Sequence, residues 1–105
     1  MRILFDQGTP AALRVALTDH TVSTAYEMGW SDLDNGALLK HAEEQFDALI
    51  TTDKNLRHQQ DLRSRRLAIL VLPTTSWPKI EIHLPQIAAA VSKLQPGQVR
   101  ELTFL

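Results

Sequence analysis

Two aspartates stand directly behind apolar runs in this chain. Asp6 closes Arg2-Ile3-Leu4-Phe5, and Asp53 follows Ala48-Leu49-Ile50-Thr51-Thr52. In a parallel α/β sheet, ligands bind outside the carboxyl ends of the strands, so both carboxyls are expected at the mouth of a site. Paired carboxylates with hydroxyls and amides beside them, here Thr51 and Asn55, make an oxygen-rich site suited to Mg²⁺ or Mn²⁺. The reaction that fits is phosphodiester hydrolysis, in which the ion activates water and offsets charge on the phosphate. Two acids are few for a pair of metals, so a single, weakly held, partly hydrated ion is expected. The competing reading has equal weight at this point: Asp, Asn and Thr also serve strand-to-helix turns as caps, and Asp6 would then simply begin the following helix.

A basic run follows Asp53. Lys54, Arg57, Arg63, Arg65 and Arg66 stand against Asp61 alone. Such clusters contact phosphates, and Gln59 and Gln60 would add hydrogen bonds to a nucleic-acid backbone. A solvated helix face is the other reading, and the position next to Asp53 brings the two level. Of the four histidines, His20, His41 and His83 read as surface or boundary residues. His58, about a turn beyond Asp53, is kept as a substrate contact. Trp30 and Trp77 read as loop anchors before they read as base-stacking platforms.

The elements that must position these residues alternate. Arg2–Phe5 is strand one, and Thr9-Pro10 reads as a helix start with Thr as cap and Pro at the first helical position. Thr21–Ala25 is strand two. Asn35 caps a helix carrying Leu38, Leu39, Ala42 and Phe46 at helical spacing. Ala48–Thr51 is strand three, and the polar stretch Lys54–Arg66 reads as a short helix with a loop. Leu67–Leu72, apolar throughout, reads as a strand buried on both faces. Pro73 ends it, and Pro78 keeps the next connection irregular. Pro85 opens a helix closed by Gln95-Pro96-Gly97, and Val99–Leu105 is an edge strand. Strands alternating with helices imply a three-layer α/β/α domain around a mainly parallel sheet of five strands. Strand one, short and apolar, is expected at the centre, in spatial order 3-2-1-4-5.

A length of 105 residues gives one domain with one core. The absence of cysteine excludes disulfides, thiolate catalysis and Cys-based metal sites. A formal net charge of −1 confines any nucleic-acid footprint to a local patch. No apolar run reaches membrane-spanning length and no signal-like segment precedes strand one, so the chain reads as cytoplasmic, without a membrane partner.

Three ordered segments carry a resemblance. Met1-Arg2-Ile3-Leu4-Phe5-Asp6-Gln7 resembles the opening of the PIN-like domains of small bacterial and archaeal proteins. Ile50-Thr51-Thr52-Asp53-Lys54-Asn55-Leu56 resembles their second signature, a threonine two residues before an aspartate at a strand end. Asn35–Ala42 is similar to the helix that normally starts with an acid. The resemblance spans most of residues 1–72. It implies a compact α/β fold, an acidic cluster binding Mg²⁺ or Mn²⁺, and ribonuclease activity, often as the toxin of a toxin–antitoxin pair. By that resemblance Asp6 and Asp53 are the metal-binding acids and Thr51 is the hydroxyl that orients the site. RNA and an antitoxin protein are the implied partners, with a homodimer also open. Asn35 stands where the helix acid is expected, unless Asp34 or Asp32 substitutes for it. Asn55 stands where a further aspartate often follows. An amide coordinates a metal without contributing charge. Two functions therefore remain: a metal-dependent ribonuclease, or a catalytically degenerate PIN-like module that binds RNA or a protein. A phosphate-receiver-like signalling domain is a third, disfavoured by the lack of a second acid beside Asp6.

Overall fold

Period-two alternation in the short apolar runs sorts their side chains onto two faces of one sheet. The computed structural model describes residues 1–56 and 65–104. In chain order the elements are β1 (Arg2–Phe5), a 3₁₀ helix (Ala11–Ala16), β2 (Thr21–Thr24), α1 (Asn35–Gln45), β3 (Ala48–Thr51), β4 (Ala68–Val71), α2 (Trp77–Glu81), α3 (Leu84–Ser92) and β5 (Val99–Glu101). The strands form one five-stranded sheet, parallel at every pairing. Ile3, Phe5, Ala48, Ile50, Ala68 and Leu70 point to the face covered by the 3₁₀ helix, α2 and α3, through Leu13, Ile80, Ile87 and Val91. Leu4, Leu49, Ile69 and Val71 point to the other face, against Leu38, Leu39 and Ala42 of α1. The domain is a three-layer α/β/α fold.

The strand order is β2-β1-β3-β4-β5, not 3-2-1-4-5. β3, rather than β1, is the middle strand. Its four residues are all buried, whereas β1 begins on exposed Arg2. The polar edges are β2 (Thr-Val-Ser-Thr) and β5 (Val-Arg-Glu), as their composition requires of strands with one unpaired side. The chain leaves β1 in one direction to make β2, then returns past β1 to make β3. The point where the order reverses lies between β1 and β3, and that crevice is where open α/β sheets bind ligands. Asp6 and Asp53 follow those two strands. The inserted strand that would have separated them in the expected order is absent from between them.

Three local expectations are also corrected. The segment after β1 is a 3₁₀ helix with Pro10, not Thr9, at its N-cap and no side-chain cap. With only Leu13 buried along it, it is a short connector of the kind 3₁₀ turns commonly make. Asp34, not Asn35, caps α1, its carboxylate accepting from the Ala37 N–H at 2.8 Å. Pro78 sits in the first turn of α2, where its missing N–H has no helical partner to lose. Among the described residues no helix is long and apolar enough to cross a membrane.

Candidate functional site

Asp6 leaves β1 with its own N–H still donating to Ile50 O at 3.1 Å, so the residue is anchored to β3 before its side chain is placed. The alternation that sends Phe5 to one face sends Asp6 toward the α1 side. Thr51, paired in register with Val71, lies on that same side. The Thr51 hydroxyl, almost fully buried, donates to Asp6 Oδ2. Thr9 Oγ1, also buried, lies 2.8 Å from Asp6 Oδ1 and 2.9 Å from Ile50 O. Thr9 was expected as a helix cap; its hydroxyl is turned into the site instead. Asp6 therefore does not merely begin a helix, because its carboxylate reaches across to β3.

Burial holds the Asp6 carboxyl above its ordinary pKa, and hydrogen bonds from Thr51, Thr9 and the Thr9 and Gly8 N–H groups only partly offset this. Among the described residues no lysine or arginine contributes to its environment. The geometry accommodates a protonated Asp6 well. One hydroxyl proton on Thr9 cannot fully serve both Asp6 and Ile50 O, whereas a proton on Asp6 lets it donate to Thr9 and frees Thr9 to donate to the carbonyl.

Asp53 joins the same network from the other side. Its N–H donates to Thr51 Oγ1 at 3.0 Å, so one hydroxyl ties the two acids together. Its Oδ1 accepts from the Asn55 N–H at 2.9 Å, a local turn bond, and its Oδ2 accepts from Asn35 Nδ2 at 3.1 Å. Asp34 takes the capping role one residue earlier, and the Asn35 side chain reaches Asp53. The site thus assembles Asp6, Thr51, Asp53 and Asn35 from the ends of β1, β3 and α1. Asn55 contributes its backbone and is exposed.

Gly8 and Thr9 were missed as site residues. A Cβ built on Gly8 would lie 2.5 Å from Thr52 Oγ1, so a side chain there displaces the Thr52 hydroxyl. The readable signal was a hydroxyl three residues after an aspartate, which a Pro at the next position disguised as a cap. Of the expected substrate contacts, Lys54 is exposed beside Asp53. Arg57, His58 and Arg63 lie outside the described residues. Arg65 belongs elsewhere. It precedes β4, at the amino ends of the strands, and its guanidinium donates to Glu43 of α1 at 3.0 Å. Arg66 follows it there, its N–H bonded to the same carboxylate at 3.0 Å. Spacing along the chain had suggested one basic patch; the return to the start of β4 carries its last two members to the opposite end of the sheet. Asp34 is engaged by the cap and Asp32 is exposed, so neither replaces the acid expected at Asn35.

Among the described residues no group of three His, Cys, Asp or Glu is placed to hold a metal. The donors gathered at the ends of β1 and β3 are hard oxygen: two carboxylates, hydroxyls and an amide. Asp6, buried without a counter-charge among the described residues, is the ligand type a cation would relieve. These residues fit a single divalent ion completed by water, and they do not fit a two-ion centre. No family model, curated protein or solved structure matches the chain. The site therefore carries the functional argument by its own chemistry.

The raised Asp6 pKa has a consequence for stability. The folded state holds this proton more tightly than the unfolded chain, whose carboxyl titrates near about 4. The favourable contribution is complete below that value and is lost as pH rises through the higher folded pKa. Asp6→Asn mimics the protonated form: its carbonyl accepts from Thr51 and its amide donates to Thr9. The substitution is expected to raise the melting temperature at pH 7, with the gain shrinking toward pH 4. Thermal denaturation across that range checks it, and a constant or inverted difference contradicts the assignment of an ionised, only partly compensated Asp6.

Proposed function

We propose that this chain is a PIN-like ribonuclease that works with one Mg²⁺ or Mn²⁺ ion. The observation that carries the proposal is the joining of Asp6 and Asp53 through Thr51, at the β1/β3 switch point, with Asp6 kept buried at a cost to the fold. A cap would gain nothing from that burial. The ordered resemblance to PIN-like domains supports the same reading, and with it a role as the toxin of a toxin–antitoxin pair whose partner protein would restrain the nuclease.

Asp6 and Asp53 would hold the ion. When bound, the ion supplies an activated water and offsets charge on the phosphodiester. Thr51 holds the Asp6 carboxylate and the Asp53 backbone on one hydroxyl, and Asn35 orients the Asp53 carboxylate through its second oxygen. Lys54 stands beside Asp53 as a phosphate contact, which attracts a polyanion and makes its binding salt-dependent. A second reading, a degenerate module that binds RNA or a protein without cleaving, is favoured by the absence of a third acid among the described residues.

Titration of the protein with Mg²⁺ or Mn²⁺, followed by amide NMR, and incubation with a broad set of single-stranded RNAs test the two. Amide shifts centred on Asp6, Asp53 and Asn35, together with metal-dependent cleavage, are expected. Metal shifts without cleavage of any RNA would favour the binding module, and shifts confined to other residues would remove the site.

A further inference from the structure

Beside Asp6, at the end of β1 and next to the edge strand β2, the surface is indented. There the Asp6–Ala11 loop, Thr24 and Tyr26 line an open depression of about 360 Å³. That volume lies within the range of small-ligand sites, about 300–1,000 Å³. At its rim stands Tyr26, the chain's one tyrosine, with its side chain in solvent at 81% exposure.

The backbone under this ring is held from several directions. Ala25, buried, donates its N–H to Phe5 O at 2.8 Å and accepts from the Trp30 N–H at 2.8 Å. Thr24 and Glu27 bond reciprocally: the Thr24 N–H reaches Glu27 Oε1 at 2.9 Å, and the Glu27 N–H reaches Thr24 Oγ1 at 3.1 Å. Arg14 of the 3₁₀ helix pairs with Glu27, tying the segment after the Asp6 loop to this turn. The bond holds the Glu27 carboxyl below its ordinary pKa. An aromatic ring left in water on so constrained a turn, at the rim of a depression that also includes Asp6, is available for stacking.

We propose that this depression is a nucleobase subsite in which Tyr26 stacks on a base of single-stranded RNA next to the phosphate held at Asp6 and Asp53. The assignment rests on the ribonuclease reading for its substrate. Stacking on a tyrosine is tolerant of base identity, because every base has a π face. The subsite therefore selects unpaired RNA over duplex, whose bases are already stacked, and confers little sequence preference.

The test is fluorescence anisotropy with a short end-labelled oligoribonucleotide and with an abasic ribose-phosphate oligomer of the same length, Ca²⁺ replacing Mg²⁺. Wild type, Tyr26→Ala and Tyr26→Phe are compared, with circular dichroism melting to verify the fold, which an exposed side chain should not disturb. Tyr26→Ala is expected to weaken RNA binding by about 5- to 150-fold, the range of one stacked base. Tyr26→Phe should retain wild-type affinity, and all three proteins should bind the abasic oligomer equally. Equal RNA affinity for wild type and Tyr26→Ala overturns the subsite and leaves the ring to a protein contact. An equal loss on the abasic oligomer overturns stacking as the cause. Wild type that cleaves RNA while Tyr26→Ala binds normally sinks the subsite alone. Wild type that neither binds nor cleaves RNA sinks the ribonuclease reading and the subsite together.

Discussion

Metal-dependent RNA cleavage is expected to fall by orders of magnitude on Asp6→Asn and on Asp53→Asn, because each substitution removes half of the negative charge that would hold the ion. What makes the experiment decisive is the sign of the accompanying stability change. Loss of activity usually invites the explanation that the variant has unfolded. Here Asp6→Asn is expected to be more stable than the wild type at neutral pH, since hydrogen bonds only partly offset the burial of the carboxyl and the amide satisfies Thr51 and Thr9. Activity and stability moving in opposite directions is the pattern of a residue kept for function at the expense of the fold. Asp53→Asn keeps an oxygen for the Asn35 amide and turns its NH₂ toward the N–H of exposed Asn55, which water can serve, so it should change stability little. Cleavage by wild type that survives both substitutions would falsify the metal-site assignment. Cleavage lost only in variants whose melting temperature has dropped would return both residues to structural roles.

The layers of this fold are legible in the sequence, and the order of its strands is not. The runs Arg2–Phe5 and Ala48–Thr51 coincide with β1 and β3 to the residue, because apolar β formers stop abruptly at polar turns. Strand order depends instead on which way each connection crosses, and nothing in Thr9–His20 or Tyr26–Asp47 encodes direction in its composition. That one unread feature changes the site most. Placing β3 beside β1 lets the Asp6 N–H bond Ile50 O and lets Thr51 bridge both acids. Arg65 was misplaced for a different reason: in a parallel sheet the chain must return to the amino end before β4, which sets Arg65 beside Glu43 and not Asp53. Asn35 was singled out as a departure from an acidic pattern, but its bond to Asp53 could not be foreseen while Asn35 itself was read as the cap and Asp34 only as a substitute acid. Because this strand order hosts unrelated activities, the fold adds nothing to the choice among them.

Asn35→Asp should reverse the character of the site. In the wild type, Asn35 Nδ2 donates to Asp53 Oδ2 at 3.1 Å, so the amide satisfies a carboxylate oxygen and adds no charge. An aspartate at that position sets two carboxylates against each other, and one of them must keep its proton or move away. Without metal, the variant is expected to lose roughly 1–3 kcal/mol, the scale for a buried polar partner left unsatisfied. A divalent ion binds the folded form alone and restores stability by mass action, about 2.7 kcal/mol at a hundredfold excess over Kd. Each kcal/mol shifts the melting temperature of a domain this size by about 4–8 °C. The melting temperature of Asn35→Asp should therefore start below wild type in EDTA and climb far more steeply with Mn²⁺. Adding Asn55→Asp should deepen the response only slightly, since that side chain is exposed and bonds Asp53 through its backbone alone. Identical Mn²⁺ responses in wild type and Asn35→Asp would mean that no ion binds between these residues. Cleavage gained by Asn35→Asp where wild type has none would identify the natural chain as the binding module. Cleavage already present in wild type, with only metal affinity gained, would identify an enzyme that works on an amide-bearing site.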